Sequence, residues 1–344
     1  MSGPLIVLTG AAGFVGSAVL RRLSARHPDA VVRVVSRRPL PPDVHRGPWV
    51  RADLAEPESL RGVCEGADVV LSLASYVGPD AGRCEAVNVA GTAALVAEAG
   101  RAGVGGVGGA GGGVRVGAGV GVGGIVQLST CAVYGAGPHR GQDVGELIPA
   151  PVSAASRSRL AGERAVLDAG GLVLRAGLVL GPGDRWAVPA LVDAFRRVPR
   201  RWGGGAGRAS FVDVDDLARL VVGLAVGEGA GAWAVAGGGV LHAHHPEPVR
   251  NRDLMEALGR YGVLPGGPAG WPAGGDLAWG ACLEALAAAP GWVSERQFTL
   301  LAGDSWYRAD TAWRLAGVDP GPGPLARLER AVDWYRGRGG MPPG

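Results

Sequence analysis

The feature that most constrains this chain is a turn with three spaced glycines close to its N-terminus. Gly10, Gly13 and Gly16 follow an apolar run and precede a helical pattern. In such a turn the first glycine permits a tight bend, the second lets a pyrophosphate approach the backbone, and the third lets the helix pack closely on the strand. The helix N-terminus then offers amide donors to phosphates. The turn therefore predicts a parallel α/β sheet that binds a dinucleotide.

Short apolar runs alternate with helical patterns through the first half of the chain. The predicted strands are residues 5–9, 31–36, 69–74, 125–128 and 172–175, and the predicted helices are residues 15–25, 58–63, 86–99 and 157–169. Strands that are apolar on both faces and joined by helices are typical of a doubly wound parallel sheet. We therefore assign residues 1–180 to a dinucleotide-binding domain of the Rossmann type.

The alternation breaks after residue 180, where glycine, proline and tryptophan become frequent. Nine of the ten tryptophans lie between Trp186 and Trp334. We interpret residues 181–344 as a smaller α/β substrate-binding lobe with an aromatic interior. Tryptophans are usually core residues, and a flat aromatic ligand stacked among some of them is the alternative.

Residues 103–124 form a glycine-rich tract, in which 13 of the 22 residues are glycine. A tract of this composition has high backbone entropy and too few side chains to pack a core. It predicts a mobile insertion between a helix and the next strand, either as a functional lid or as a tolerated low-complexity segment.

The residues at the end of the second predicted strand indicate which dinucleotide is bound. An acidic residue at this place would bind the 2′-hydroxyl of NAD. The chain instead has Ser36, followed by Arg37 and Arg38. Two guanidinium groups can pair with a 2′-phosphate, and the sequence therefore predicts NADPH or NADP⁺ as the cofactor. Asp53, in the stretch Arg51-Ala52-Asp53-Leu54, is predicted to accept a hydrogen bond from the adenine amine.

The overall composition argues against several other classes of partner. The net charge is +3 and its acidic and basic residues are interspersed, so no basic stripe favours nucleic acid. No uninterrupted apolar stretch is long enough to predict a membrane span. The four cysteines have neither disulfide nor metal-site spacing, which predicts a reducing, cytoplasmic location and no bound metal. The oligomeric state is left open.

Five further stretches have a recognisable order and spacing. They are residues 71–75, 88–92, 128–135, 175–184 and 211–218. Together with the glycine turn they resemble the extended short-chain dehydrogenase/reductase family over nearly the whole chain. The resemblance implies further cofactor contacts, at Ala12, Phe14, Val15, Leu54, Leu73, Ala74, Ser75, Arg159, Gly177 and Leu178.

The helix that carries the catalytic pair departs from the family pattern. The family has Tyr-x-x-x-Lys, whereas this chain has Ala155 and Arg159. No shift of register restores the motif, because the chain contains no lysine. By the resemblance, Thr130 polarises the substrate carbonyl and Arg159 hydrogen-bonds the nicotinamide ribose. Arginine stays protonated at neutral pH, so it does not replace the tyrosine as an acid.

The missing tyrosine leaves the source of the proton open. Tyr76 and Tyr134 are predicted to contact the substrate and are also candidate proton donors. Cys131 is a third candidate, although a small core residue is its simpler interpretation. Water or the substrate itself are the remaining sources.

Three histidines match no motif. His242, His244 and His245 are close together in the sequence. They predict a surface loop, with a metal-binding pair or a base in the pocket as the alternatives.

A closer resemblance, to ketoreductases of angucyclinone polyketides in antibiotic biosynthesis, implies the reaction. It implies NADPH-dependent reduction of a ketone of an aromatic polyketide without the usual tyrosine. A hydroxyl group of the substrate would then supply the proton. Two alternatives stay open: an inactive NADP-binding sensor or scaffold, and a nucleotide-sugar epimerase or dehydratase. The second alternative is disfavoured because those reactions also need the missing tyrosine.

Overall fold

Strands that are buried on both faces build the main sheet of the computed structural model, which describes residues 3–104, 124–227, 238–264 and 275–338. In chain order the strands of this sheet are β1 (Leu5–Thr9), β2 (Val31–Ser36), β3 (Trp49–Arg51), β4 (Val69–Ser72), β5 (Ile125–Thr130), β7 (Leu172–Ala176) and β12 (Gly239–Ala243). They are parallel and lie in the order β12-β7-β5-β4-β1-β2-β3. The doubly wound parallel sheet predicted from the sequence is therefore confirmed.

Alternate side chains of β1 enter two different cores, one on each face of the sheet. Ile6 and Leu8 pack on the face that also receives α1 (Phe14–Arg26) and α6 (Val214–Val226). Val7 packs on the opposite face, in the core that includes residues of α3 (Thr92–Arg101) and α4 (Ala154–Asp168). Helices thus cover both faces, and the carboxyl ends of the strands form one common edge.

The remaining elements form the second part of the molecule and its connections. The other strands are β6 (His139–Gln142), β8 (Leu178–Leu180), β9 (Arg201–Trp202), β10 (Arg208–Ala209), β11 (Phe211–Asp213), β13 (Val249–Arg250), β14 (Asp276–Leu277) and β15 (Ser305–Tyr307). The other helices are α2 (Ala81–Cys84), α5 (Ala187–Arg197), α7 (Asn251–Arg260), α8 (Trp279–Ala288), α9 (Glu295–Ala302), α10 (Asp310–Ala316) and α11 (Val332–Arg338). Strands β13, β10, β15 and β6 form a second, smaller sheet.

An aromatic cluster occupies the interior of the second part, where the tryptophan-rich sequence predicts one. The ring of Trp202 meets the edge of Phe298 at 4.8 Å between centroids, and Trp279 stacks on Phe298 at 5.1 Å. Trp202 is almost completely buried in this core. Trp202 is therefore a core residue, and Trp279, which is partly buried, packs against the same core.

The sequence places the strands more accurately than the helices. The bounds of β1 and β2 agree with the prediction, while β4 is shorter and β5 and β7 are longer than predicted. The predicted helix 58–63 is instead a 3₁₀ helix at Pro57–Leu60, closed by Gly62, whose φ is +77°. The predicted helix 86–99 is a π-helical segment, Glu85–Gly91, that continues into α3. Further 3₁₀ segments of the described residues lie at Cys131–Tyr134, Gly203–Gly205 and Leu325–Ala331. Local sequence patterns do not separate such segments from α-helix.

The boundary predicted at residue 180 does not separate the two cores. Strand β12 pairs in register with β7, so that Leu241 lies opposite Leu174. Trp313, on α10, packs in the same core as β1 and donates a 2.7 Å hydrogen bond from its indole nitrogen to the carbonyl of His244. The chain after residue 180 therefore returns to complete the dinucleotide-binding sheet.

Two further predictions from the sequence concern the glycine-rich tract and the absence of a membrane span. The glycine-rich tract 103–124 lies almost wholly at residues 105–123, outside the described residues. Within the ranges that the structure describes, no helix is both long enough and apolar enough to cross a membrane.

Candidate functional site

A cleft of about 650 Å³ opens at the carboxyl ends of β1, β2, β3 and β4. Its lining includes eleven residues predicted to bind cofactor or substrate: Gly10, Ala12, Gly13, Ser36, Arg37, Arg38, Asp53, Leu54, Ala74, Ser75 and Tyr76. The other lining residues are Thr9, Ala11, Val35, Arg51, Ala52, Ala55, Arg83 and Val87. Sequence reasoning missed these, and the two arginines among them matter most for binding an anion.

The glycine turn leaves room for a phosphate because side chains are excluded there. Gly10 has a φ of +76°, and a Cβ at this position would lie 2.7 Å from the backbone nitrogen of Ala74. A Cβ on Gly16 would overlap the carbonyl oxygen of Gly10. Helix α1 begins directly after Gly13, which caps it without a side-chain hydrogen bond. The first amides of the helix therefore stay free for an anionic ligand.

The side chain of Thr9 joins the ends of β1 and β4 beneath the turn. Its Oγ1 accepts hydrogen bonds from the backbone nitrogens of Leu73 and Ala74, at 3.2 and 3.3 Å. Leu73 is thus buried behind the cleft, whereas Ala74 and Ser75 line it. The predicted contacts at the end of the fourth strand are brought to the cleft by this link.

The other end of the cleft carries the residues predicted to select the cofactor. The hydroxyl of Ser36 donates to the carbonyl of Arg38 at 2.6 Å and accepts from the indole nitrogen of Trp49 at 2.9 Å. Arg37 lies 4.0 Å from the carboxylate of Asp53 and is 69% exposed. A guanidinium group with so distant a partner keeps most of its donors available. This corner fits an anionic group such as a 2′-phosphate.

Several predicted contacts do not line this cleft. Phe14, Val15, Gly16, Leu73, Arg159, Gly177 and Leu178 are outside its lining. Gly177 packs against the backbone of Ser210, where a side chain would not fit, and Leu178 pairs with Phe211 in the strand β8. For Gly177 and Leu178 the structure therefore gives a packing role.

Helix α4 presents Ala155 one turn before Arg159. A capping box formed by Ser153 and Ser156 fixes the start of the helix. Arg159 donates a 2.7 Å hydrogen bond from a guanidinium nitrogen to the carbonyl of Leu128 on β5. Burial lowers the pKa of Arg159 to about 10, against the opposing effect of Glu163. The side chain remains protonated at neutral pH, as predicted, although its pKa is lower than that of an exposed arginine.

Thr130 ends β5 with its hydroxyl oriented by the backbone. Its Oγ1 accepts a 3.1 Å hydrogen bond from the backbone nitrogen of Ala132, because Thr130 caps the 3₁₀ helix Cys131–Tyr134. The hydroxyl proton is therefore available to donate to another acceptor. A hydroxyl group must have its proton available in this way in order to polarise a carbonyl.

A buried ion pair lies beneath these residues. Glu163 on α4 accepts from Arg175 on β7 at 2.6 Å, and their side chains are 1% and 8% exposed. The hydroxyl of Ser129 donates to the same carboxylate. Arg175 also donates to the hydroxyl oxygen of Tyr134 at 2.9 Å. Buried charges are tolerated when every partner is satisfied in this way.

The hydrogen-bond chain continues from Tyr134 to a histidine. Tyr134 Oη lies 2.8 Å from His242 Nε2, and His242 Nδ1 lies 2.8 Å from the carbonyl oxygen of Arg308. A carbonyl only accepts, so Nδ1 carries the proton and Nε2 accepts from the tyrosine hydroxyl. Burial lowers the pKa of His242, which keeps the imidazole neutral. This series of hydrogen bonds joins β5, β7 and β12 to the loop after β15.

The three proton-donor candidates have different surroundings. Tyr134 is 3% exposed, its hydroxyl is already engaged, and burial raises its pKa. Burial also raises the pKa of the Cys131 thiol, whose sulfur lies 3.3 Å from the carbonyl of Arg175. Tyr76 alone of the three lines the cleft. The structure thus places Tyr134 and Cys131 in the core beneath the site.

The surface loop predicted for the three histidines is wrong. His242, His244 and His245 are 2%, 0% and 6% exposed, because β12 joins the main sheet and buries them. Burial lowers the pKa of His244 to about 3. Among the described residues, no group of three or more histidine, cysteine or acidic side chains is arranged to hold a metal ion.

The fold and the cleft together define a dinucleotide-binding protein. The model of the NAD dependent epimerase/dehydratase family matches residues 6–228. The chain therefore belongs to this family of NAD-dependent enzymes within the extended short-chain dehydrogenase/reductases. No curated protein matches the chain in sequence.

Solved structures that resemble the chain include several nucleotide-sugar enzymes. MoeE5 in complex with UDP-glucose and NAD has 24% sequence identity and a TM-score of 0.65, over 97% of this chain and 99% of MoeE5. UDP-glucuronic acid 4-epimerase from Bacillus cereus has 18% identity and a TM-score of 0.63, over 97% and 99%. The NDP-hexosamine 5,6-dehydratase TunA, involved in tunicamycin biosynthesis, has 20% identity and a TM-score of 0.62, over 97% and 98%. At these identities the likeness establishes the fold.

The buried ion pair generates a prediction about stability. Replacing Glu163→Gln leaves the Arg175 guanidinium buried without a charged partner, and we expect the free energy of unfolding to fall by about 3–5 kcal/mol. Denaturation by urea, followed by circular dichroism, measures this change.

The matched control lies on the same helix. Asp168 pairs with Arg164 at 3.6 Å, but their side chains are 70% and 85% exposed. The change Asp168→Asn should therefore leave the unfolding midpoint almost unchanged. Equal small effects of both substitutions would contradict the role given to the buried pair.

Proposed function

We propose that the protein is an NADPH-dependent ketoreductase that acts on an aromatic hydroxyketone of the polyketide type. The observation that carries this proposal is the combination of a cleft lined by the glycine turn and by Ser36, Arg37 and Arg38 with Ala155 at the place of the family's tyrosine. Loss of the tyrosine removes a base as well as an acid. Oxidation of an alcohol needs a base from the start, whereas reduction of a ketone needs only a proton for the product oxygen.

The residues of the chain bind and orient the two reactants. The bound cofactor supplies the hydride. The Thr130 hydroxyl donates a hydrogen bond to the substrate carbonyl and so favours attack at its carbon. Arg159, held against the carbonyl of Leu128, adds a positive charge behind this site. No side chain in this arrangement transfers a proton.

The proton comes from the substrate in this proposal. A phenol on a neighbouring ring position has a pKa of about 10 and can be hydrogen-bonded to the reacting carbonyl. As the hydride forms the new C–H bond, the phenol proton moves to the carbonyl oxygen and leaves a phenolate, which solvent reprotonates. Such an intramolecular acid has a high effective molarity. The products are the alcohol, the oxidised cofactor and, after reprotonation, the intact phenol.

Three exposed apolar side chains lie in segments that adjoin the lining residue Tyr76 or precede the helices α4 and α5. Val77 follows the lining residue Tyr76, Val152 precedes α4 by two residues, and Trp186 directly precedes α5. These side chains are 42%, 48% and 42% exposed.

A second candidate function is that of a nucleotide-sugar epimerase or dehydratase. The family and the nucleotide-sugar enzymes named above support this candidate. The two functions differ in their use of cofactor: a ketoreductase consumes one NADPH per product, whereas an epimerase returns its hydride to the sugar. Incubation with a UDP-sugar, followed by analysis of the sugar configuration without net cofactor change, tests this candidate. Cofactor binding without turnover of either substrate class would support an inactive sensor or scaffold.

The first prediction from the proposal concerns the choice of cofactor. We expect NADPH to bind at least tenfold more tightly than NADH, because each charge-assisted hydrogen bond to a 2′-phosphate contributes about 1.5–3 kcal/mol. The double change Arg37→Gln and Arg38→Gln should reduce this preference, and isothermal titration measures it. The change Arg61→Gln serves as the control, since Arg61 is exposed and pairs with Glu58 outside the cleft. Equal affinity of the unchanged protein for both cofactors would refute the assignment.

The second prediction concerns the source of the proton. A hydroxyketone and its methyl ether have nearly the same shape, but the ether has no proton to give. We expect the ether to bind with similar affinity and to be reduced at least a hundredfold more slowly, since general acid catalysis contributes about 10²–10⁴ in rate. Single-turnover oxidation of NADPH measures both rates. Equal rates would show that the protein or water supplies the proton.

A further inference from the structure

Four arginines line the cleft, and they stand on two sides of the glycine turn. Arg37, Arg38 and Arg51 follow or end the strands β2 and β3. Arg83 lies in α2, beyond the end of β4. Because the strands lie in the order β4-β1-β2-β3, the turn after β1 is between the two groups. A dinucleotide stretched along this edge would therefore meet positive charge on both sides of its pyrophosphate.

Arg83 is held in place by an aromatic ring. Its guanidinium carbon lies 4.6 Å from the centroid of the Tyr76 ring. Asp80 caps the short helix by accepting a 3.0 Å hydrogen bond from the backbone nitrogen of Arg83. A cation over an aromatic face at this distance is an attractive contact.

Tyr76, whose ring supports Arg83, is itself linked to the helix α4. The backbone of Tyr76 exchanges two 2.8 Å hydrogen bonds with the Asn88 side chain, one in each direction. Asn88 is buried and also donates to the hydroxyl of Ser158 on α4 at 2.9 Å. The ring that carries Arg83 is therefore anchored, although it lies in a loop.

The charge of Arg83 is not neutralised by the protein. Within the ranges that the structure describes, no carboxylate lies within ion-pair distance of its guanidinium group. Of the two acids nearest to it in sequence, Glu85 and Asp80, Asp80 accepts a hydrogen bond from the backbone nitrogen of Arg83. An oriented, unpaired cation in the wall of an anion-binding cleft is suited to a phosphate.

We propose that Arg83 is a cofactor-binding residue that contacts the pyrophosphate, with Tyr76 as its positioning residue. The proposal rests on the proposed function only in taking the ligand of the cleft to be a dinucleotide. It gives Tyr76 a role in support of Arg83 rather than in proton transfer. It also explains how a loop without a family motif contributes to binding.

The test compares both cofactors without substrate, by isothermal titration of the full-length protein. NADPH and NADH share the pyrophosphate and differ in the 2′-phosphate. The change Arg83→Gln should therefore weaken both by the same factor, about five- to tenfold. The change Arg37→Gln should weaken NADPH more than NADH. Raising the salt concentration should reduce the effect of Arg83→Gln, because an exposed charge is screened.

Two variants of Tyr76 separate the role of its aromatic ring from that of its hydroxyl group. Tyr76→Phe keeps the aromatic face and should leave both affinities unchanged, whereas Tyr76→Ala removes it and should weaken both cofactors by part of the Arg83→Gln effect. Circular dichroism checks that each variant is folded.

Three results would overturn the proposal. The first is Arg83→Gln binding both cofactors as tightly as the unchanged protein. The second is a loss for NADPH alone, which would assign Arg83 to the 2′-phosphate. The third is failure of the unchanged protein to bind any dinucleotide, which would overturn the proposed function together with it.

Discussion

The buried pair of Glu163 and Arg175 is the interaction on which the site depends. It ties α4 to β7, and through Ser129 and Tyr134 it also ties both to β5 and to the segment after it. Removing two charges from water is costly, and here the cost is offset because the carboxylate and the guanidinium have several partners each. The position of α4 along the sheet follows from this contact, and with it the positions of Ala155 and Arg159.

The pair also explains how the chain keeps its architecture without the family's catalytic residues. The cleft is formed by the ends of β1 to β4 and by Arg83, while the helix α4 is held from beneath by Glu163. Neither arrangement uses the side chain at position 155. Replacement of a tyrosine by alanine there removes a proton donor and leaves the packing of the sheet intact. The proposed cofactor binding therefore does not depend on a proton donor at position 155.

Local sequence patterns were sufficient to predict the elements that depend only on residues close together in the sequence. The strands β1 and β2 are short β-branched runs bounded by turn residues, and the glycine turn has its spacing from the geometry of one strand and one helix. Strand β12 escaped prediction because it begins next to a glycine-rich segment and its partner β7 is more than sixty residues earlier in the chain. The burial of His242 follows from that pairing, so no pattern of neighbouring residues predicts it.

The candidate site was likewise predictable only where its residues stand close to a motif in the sequence. Ser36, Arg37 and Arg38 stand at a fixed distance from the glycine turn, and they line the cleft. Arg83 has no such relation to a motif, and its place in the cleft depends on the path of the loop after β4. The pKa of Arg159 is lower than that of an exposed arginine because α4 and β5 bury the side chain, and no local sequence pattern predicts this burial.

The central claim is that the cleft binds the hydride donor while the protein provides no acid. The pH dependence of single-turnover hydride transfer tests it most directly, when measured for a series of hydroxyketones whose phenols differ in acidity. We expect the rate to fall above a pH that shifts with the pKa of each substrate's phenol, because the phenol must be protonated to react. A fall at one fixed pH for every substrate would contradict it, since that behaviour belongs to an acid of the protein.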